Sequence, residues 1–439
     1  MRSPASQSYK IRRVLISAAL GQFVEWYDFA IYAYSAPVIA KLFFPPGDRF
    51  TSLLATFAVY AVGFLMRPFG GVIFGGLGDR FGRRIALSFV ILSMGAATFV
   101  IGLLPSYANI GLAAPICLSI CRLIQGLSAA GEAVGSNSFV AEHVASERRG
   151  FCVAFTHAFG ALSPVFAAVL ILILTNSLRP EVYIIWGWRI PFIIGGPIAL
   201  IGLYIRSKVE ESPAFEVTNA AKRLTRYPIL TAVNKHRSKM ILSFALAAFS
   251  SLSFYTLSGY LVTYLTTTVE LDQNTALISN CVALFVSFLS MSGGGWLSDK
   301  YGRKPILLLG LIGSFVILVP AFMILGHATL FSAIVGQVLL ALTFGVYWGA
   351  VGVTLIELFP TRSRFTASAI SYNLAFAIFG GTTPFISIWL VAKSGNKLSP
   401  AIYMAVIPIF VLLAILRMPE TSKTSLVHDE DIKQPEPSA

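Results

Sequence analysis

Twelve times along this chain a run of about 20 mostly apolar residues recurs, which is the length an α-helix needs to cross the hydrocarbon core of a bilayer. The runs cover 14–40, 53–76, 85–104, 113–141, 151–174, 188–205, 240–266, 275–297, 305–325, 329–358, 365–392 and 401–416. In lipid every backbone N–H and C=O must be satisfied inside the protein, so runs of this length cross as helices. Composition agrees. Of 439 residues, 56% are hydrophobic and 12% charged, whereas about 25% are charged in an ordinary soluble domain. Too few charges are present to cover a water-soluble core of this size, which excludes soluble enzymes, disordered scaffolds and secreted disulfide modules. Cys117, Cys121, Cys152 and Cys281 lie in or beside apolar runs, and their spacing implies neither a disulfide framework nor a metal site. The predicted fold is an all-α membrane protein of 12 transmembrane helices.

An even number of spans leaves both termini on one side, and basic residues identify that side. The termini and alternate connections on their side hold 25 of the 33 Lys and Arg; the opposite connections hold six, and Arg67 and Arg122 lie inside spans. Both termini are therefore expected in the cytoplasm. This bias accounts for the net charge of +13 without a nucleic-acid partner, leaving at most a minor attraction to anionic lipid. The longest connection splits the chain into halves of six spans. The expected organisation is a cytoplasmic N-terminus 1–13, a first bundle 14–205, a basic linker 206–239 with a short amphipathic helix near 215–224, a second bundle 240–416 and a disordered tail 417–439. The N-terminal apolar run, interrupted by Glu25 and Asp28, is too long for a cleaved signal peptide.

A duplication sharpens this picture. Gly75-Gly76-Leu77-Gly78-Asp79-Arg80-Phe81-Gly82-Arg83-Arg84 lies between spans two and three. Gly295-Trp296-Leu297-Ser298-Asp299-Lys300-Tyr301-Gly302-Arg303-Lys304 lies between spans eight and nine, 220 residues on. A weaker echo pairs Glu142, Arg148 and Arg149 with Glu357, Arg362 and Arg364. Two pseudo-symmetric six-helix bundles in parallel repeat, with a substrate site between them near the bilayer midplane, are the arrangement such a duplication implies. An Asp at a helix terminus beside basic residues, with Gly allowing a tight turn, makes each copy a candidate gate contact that holds the halves together on the cytoplasmic side. The expected gate residues are Arg67, Gly75, Asp79, Arg80, Gly82, Arg83, Gly295, Asp299, Gly302, Arg303 and Glu357.

In these segments the chain resembles the major facilitator superfamily. Within it the chain is similar to the metabolite:proton symporter family, which includes proline/betaine, α-ketoglutarate, citrate and shikimate permeases. The resemblance also rests on Glu25-Trp26-Tyr27-Asp28-Phe29, Phe64-Leu65-Met66-Arg67-Pro68-Phe69-Gly70-Gly71 and Arg122-Leu123-Ile124-Gln125-Gly126 with Gly131-Glu132. Trp186-Gly187-Trp188-Arg189-Ile190-Pro191-Phe192 and Glu357-Leu358-Phe359-Pro360-Thr361 extend it over nearly the whole chain. It implies the major facilitator fold in a plasma membrane, in bacteria the inner membrane. The implied action is proton-driven uptake of a small metabolite by alternating access. The 23 residues after Leu416 show no heptad pattern, so regulation through the coiled-coil extension of some osmosensing members is not expected.

Ionisable groups inside a span cost at least about 2.5 kcal/mol at the helix centre and so need a use or a partner. Glu25 and Asp28 share a face of span one, and two carboxylates close together in low dielectric make a candidate proton site or an acid pair neutralised by Arg122. Arg122 can hold a carboxylate bidentately, either that of a substrate or an acid of span one, and this competition would couple proton to cargo. Glu132, about 15 Å along the helix from Arg122, reads equally as a second proton site or as a partner for Arg67. Gln125 is a further candidate for the substrate. His157 is a candidate substrate contact or a packing residue, and Tyr255, Tyr347, Trp348 and Asn373 are candidates for the opposite wall. One central Arg with an aromatic wall favours a proline- or betaine-like zwitterion or a monocarboxylate, with a di- or tricarboxylate symporter or a multidrug or metabolite efflux antiporter as alternatives. No nucleophile–base pair, nucleotide loop or metal cluster suggests an enzyme or a cofactor. The expected partners are substrate, protons and the bilayer, and the expected state is a monomer.

Overall fold

The computed structural model describes residues 4–45, 49–211, 216, 228–361 and 364–426. The sites expected for a linker helix at 215–224, for Arg362 and for the distal tail fall wholly or mostly outside these residues. Twelve helices are long and apolar enough to cross a membrane. They are α1 (Ile11–Phe43), α2 (Ala58–Phe81), α3 (Arg83–Leu103), α4 (Ala113–His143), α5 (Ser146–Ser177), α6 (Pro180–Ser207), α7 (Lys235–Thr267), α8 (Gln273–Tyr301), α9 (Arg303–Leu325), α10 (Leu330–Glu357), α11 (Arg364–Ser394) and α12 (Ser399–Arg417). No strand occurs among the described residues.

Helices α1–α6 and α7–α12 form two bundles, which meet where α5 packs on α8 and α10, and α2 packs on α11. Apolar side chains such as Leu65, Phe89, Trp296 and Phe410 are more than half exposed around the outside, as lipid-facing helices require. Within the core, buried Arg, Asp, Glu, Ser and Asn side chains hydrogen-bond one another and backbone carbonyls, because no water is at hand to solvate them.

The duplicated segments were expected to be loops, yet they are almost wholly helical. α2 runs through Phe81 and α8 through Tyr301, so each connection shrinks to one residue, Gly82 or Gly302. Their φ angles of 107° and 100° are ones that a side chain would strain. Earlier in each segment, a Cβ on Gly75 would lie 2.8 Å from the Thr366 Cα, and one on Gly295 would lie 2.6 Å from the Gly150 carbonyl oxygen. These glycines let helices of opposite bundles cross in near contact.

Arg206 was expected in the linker, but it is the last-turn residue of α6 and is buried. Its Nη1 and Nη2 each lie 2.9 Å from a carboxylate oxygen of Glu132, and the guanidinium also donates to Ser17 and to the Leu87 carbonyl. Glu132 therefore pairs with Arg206 rather than with Arg67. A basic residue that closes an apolar run can form the last turn of the span and reach into the bundle, here to α1, α3 and α4. Removing one partner leaves the other buried and unpaired, a loss of about 3–5 kcal/mol. Arg206→Ala should therefore sharply lower the yield of folded protein and its thermal midpoint, as read by fluorescence-detected gel filtration after heating. Unchanged melting would show that the pair is not structural.

Candidate functional site

On the face bearing both termini, the repeat becomes a pair of matching locks. Asp79 of α2 accepts from the backbone N–H groups of Phe365 (3.2 Å) and Thr366 (2.8 Å) at the start of α11, in the opposite bundle. Asp299 of α8 accepts from Gly150 and Phe151 at the start of α5, both at 2.8 Å. Each carboxylate thus caps a helix N-terminus across the interface, where unpaired N–H groups and the helix dipole both attract an anion. One turn on, Arg83 and Arg303 each pair with their own Asp at 2.7 Å.

The echo completes each lock. Glu142 takes Arg83 at 3.4 Å and, from the other bundle, Arg364 at 2.7 Å. Glu357 takes Arg303 at 3.0 Å and, across the interface, Arg149 at 3.1 Å. Arg149, and not Arg148, is the counterpart of Arg364. Arg80, expected in the gate, instead lies exposed over the Phe81 ring at 5.2 Å, because it follows Asp79 by one residue and so points some 100° around the helix.

Two acids that sequence reasoning missed cap the next helices. Glu211 accepts from the backbone of Arg83 (3.0 Å) and Arg84 (3.1 Å), and Glu420 from that of Arg303 (2.8 Å) and Lys304 (3.0 Å). A basic residue followed three places on by Glu, at Lys208 and Glu211 and again at Arg417 and Glu420, was the available signal. Beyond Glu420 the chain crosses the locks. The Thr421 hydroxyl donates to Glu357 at 2.9 Å, Arg149 donates to the Thr424 carbonyl at 3.1 Å, and Arg364 and Thr361 donate to that of Leu426. The tail expected to be disordered is thus fastened down as far as 426. Partial burial alone would push the Glu420 carboxyl up, but backbone N–H groups of Ser422, Arg303 and Lys304 hold it below the usual carboxylate range. Its contribution to stability is accordingly full at neutral pH and fades only as the pH falls through that lowered value.

Midway along the bundles lies a charged cluster enclosed by rings. Glu25 pairs with Arg67, whose Nη1 also donates to the hydroxyl of Tyr255, in the opposite bundle, at 3.3 Å. Its guanidinium carbon is 5.2–5.7 Å from the rings of Trp26, Phe29, Phe64 and Phe376. Arg67 was expected at the gate; instead it belongs to this central cluster, because twelve residues of α2, about 18 Å, separate it from Asp79. Asp28 takes the other direction. Gln125 donates to Asp28 (3.4 Å) and to the Thr98 hydroxyl (2.8 Å) and accepts from Arg122 (2.8 Å). Arg122 stands 4.4–5.0 Å from the rings of Phe29, Tyr32 and Tyr60. The two acids of α1 therefore serve two arginines, and Phe29 lies against both guanidinium groups, each contact worth about 0.5–2 kcal/mol.

Several polar atoms here are buried without a hydrogen-bond partner: Glu25 Oε2, Asp28 Oδ1, Arg67 Nε, and Arg122 Nε and Nη2. Such atoms are rare in folded proteins, and each calls for a partner that the protein itself does not supply. Beside them, between the bundles, is a void lined by Trp26, His157, Ser250, Phe254, Trp348 and Phe376 among others, with room for about one water. His157 faces Asn137, Nδ1 to Nδ2 at 3.2 Å. Trp348 donates to Ser253 at 2.9 Å.

Two expected wall residues are elsewhere. Tyr347 packs inside its own bundle, its hydroxyl donating to the Leu246 carbonyl at 3.0 Å and its ring against Phe249, because it sits one position around α10 from Trp348. Asn373 joins the bundles by donating to the Ala130 carbonyl at 2.8 Å. No cluster of His, Cys, Asp and Glu able to hold a metal occurs among the described residues.

The sequence matches the profile of the sugar (and other) transporter family over residues 14–229 and 218–431. It is 34% identical to the glycine betaine/proline/ectoine/pipecolic acid transporter OusA of Dickeya dadantii, over 95% of this chain and 85% of that one. It is 35% identical to a putative proline/betaine transporter of Staphylococcus aureus, over 94% and 90%. Among solved structures, the major facilitator superfamily proton:xylose symporter XylE bound to 6-bromo-6-deoxy-D-glucose superposes with a TM-score of 0.81 at 19% identity, covering 97% of this chain and 99% of that one.

Proposed function

Because the chain belongs to the sugar (and other) transporter family of the major facilitator superfamily, we propose that it takes up a proline- or betaine-like zwitterion together with protons by alternating access. The observation that carries this reading is the set of unpartnered buried atoms on Glu25, Asp28, Arg67 and Arg122. With both acids ionised, the two carboxylates balance the two guanidinium groups. A proton on Asp28 removes its pull, relayed through Gln125, on Arg122. Its Nε and Nη2, which already lack a partner, then make a fork that fits a carboxylate. Departure of that carboxylate restores the pull and expels the proton. Glu132, once expected among the proton carriers, has both oxygens on Arg206 and takes no part.

The lining of the void, which must widen beyond the room of one water to admit a solute, favours a cation that needs few N–H partners. Among the described residues no carboxylate lines it, and its polar groups include an imidazole and a hydroxyl, while Trp26, Phe254, Trp348 and Phe376 offer ring faces. A methylated or ring ammonium is served by such faces, whereas a primary amine would be left with unpaired donors. The excess of positive residues on the face of the termini supports a cytoplasmic side for them and for the two locks. The locks are formed and the void is enclosed, which fits a state shut toward the cytoplasm, and a bacterial inner membrane suits both the bias and the relatives.

Proteoliposomes under an inwardly directed proton gradient should accumulate proline or glycine betaine, but not citrate or α-ketoglutarate. Arg122→Ala should lower uptake by about 100-fold, the loss of a charge-assisted bidentate contact. Accumulation of only the di- or tricarboxylate, or uptake unaffected by Arg122→Ala, would overturn the reading.

A further inference from the structure

We propose that the groove between the start of α1 and the end of α6 binds the headgroup of an anionic phospholipid. The groove encloses about 490 Å³ and is lined by Arg12, Arg13, Ile16, Tyr204, Ile205 and Lys208. Its residues are layered as a phospholipid is. Arg12 and Arg13 lie at the start of the apolar span of α1 and Lys208 just past the end of that of α6, ends that a spanning helix sets among the headgroups. One turn deeper are Ile16, 41% exposed, and Tyr204, 65% exposed, at the depth of the upper acyl chains. The Lys208 side chain turns back toward the apolar layer, its ammonium over the Tyr204 ring at 5.5 Å, which holds a cation inside the groove.

Charge complementarity selects the lipid. Arg12 and Lys208 bring two cations to the groove and, among the described residues, no carboxylate lines it, so a phosphodiester without a balancing ammonium is preferred over a zwitterionic headgroup. The groove is also prebuilt. Arg206, two residues before Lys208, binds Ser17 and Glu132, which fixes the end of α6 on the first turns of α1. Both walls belong to one bundle, so rocking of the bundles leaves the groove intact, and a lipid there rides with the first bundle through the transport cycle.

The test is native mass spectrometry of the full-length protein carried from detergent micelles doped with dioleoylphosphatidylglycerol or dioleoylphosphatidylcholine. The parent should retain phosphatidylglycerol at collision energies that strip phosphatidylcholine. An Arg12→Gln, Lys208→Gln variant should lose that retention by about tenfold or more. Equal retention of the two lipids by the parent, or undiminished phosphatidylglycerol on the variant, overturns the proposal. Should the variant fail to fold, a photoactivatable phosphatidylglycerol on the parent decides. Labelling of peptides containing Ile16 or Tyr204, competed by phosphatidylglycerol and not by phosphatidylcholine, supports the site, and labelling confined to other helices overturns it.

Discussion

Proteoliposomes carrying Asp28→Asn should exchange labelled for unlabelled substrate at a rate within a few-fold of the parent, yet fail to concentrate it. For one proton per substrate, a gradient of one pH unit can sustain about tenfold accumulation, and the variant's ratio should fall to about one. The reason lies in the relay. Asn keeps the shape and can still meet Gln125, but it can no longer switch between ionised and neutral forms, so Arg122 is permanently released. Binding and bundle movement survive while their link to the proton is cut. Glu25→Gln makes the contrast, since it strips Arg67 of its carboxylate and leaves a buried guanidinium unpaired, so exchange itself should fall. Undiminished accumulation by Asp28→Asn would remove Asp28 from the coupling scheme.

The second large effect concerns the locks. Hydrogen bonds to a charged group contribute about 1.5–3 kcal/mol each before competing interactions are counted. Taking about 2 kcal/mol for each two-bond cap, Asp79→Asn or Asp299→Asn alone should shift the balance between shut and open terminal faces by roughly 30-fold. The double variant should shift it by roughly three orders of magnitude. Spin labels on cysteines placed at Arg80 and Lys300, exposed positions on opposite bundles, report the separation. Distances should lengthen in each single variant and further in the double one. A distribution identical to the parent's would show that the caps do not hold the face closed.

Much of this architecture could be read before any coordinates. Bilayer thickness alone sets the twelve spans, and an Asp recurring at the same place in each half pointed to paired contacts between bundles. Rotational phase and crossing angle were beyond reach, and each misplaced residue turns on one of them. Glu25 and Asp28 do share a helix, but whether Arg67 or Arg122 meets each acid depends on how α1, α2 and α4 cross. Tyr347 and Trp348 are neighbours in sequence, yet one faces its own bundle and the other the void. Arg206 was hidden by its place at the end of a hydrophobic run, and the segment to Leu426 by its ordinary polar composition, since its grip on the locks is made mostly through backbone carbonyls that sequence does not display.

The two caps sit at opposite edges of one seam, the first where α2 meets α11 and the second where α8 meets α5. A seam fastened at its edges can peel from either one, so opening proceeds in two smaller steps instead of one rupture. Two half-peeled forms, related by the pseudo-twofold axis, would then be parallel routes to the open state, and weakening one edge would steer opening through a single route.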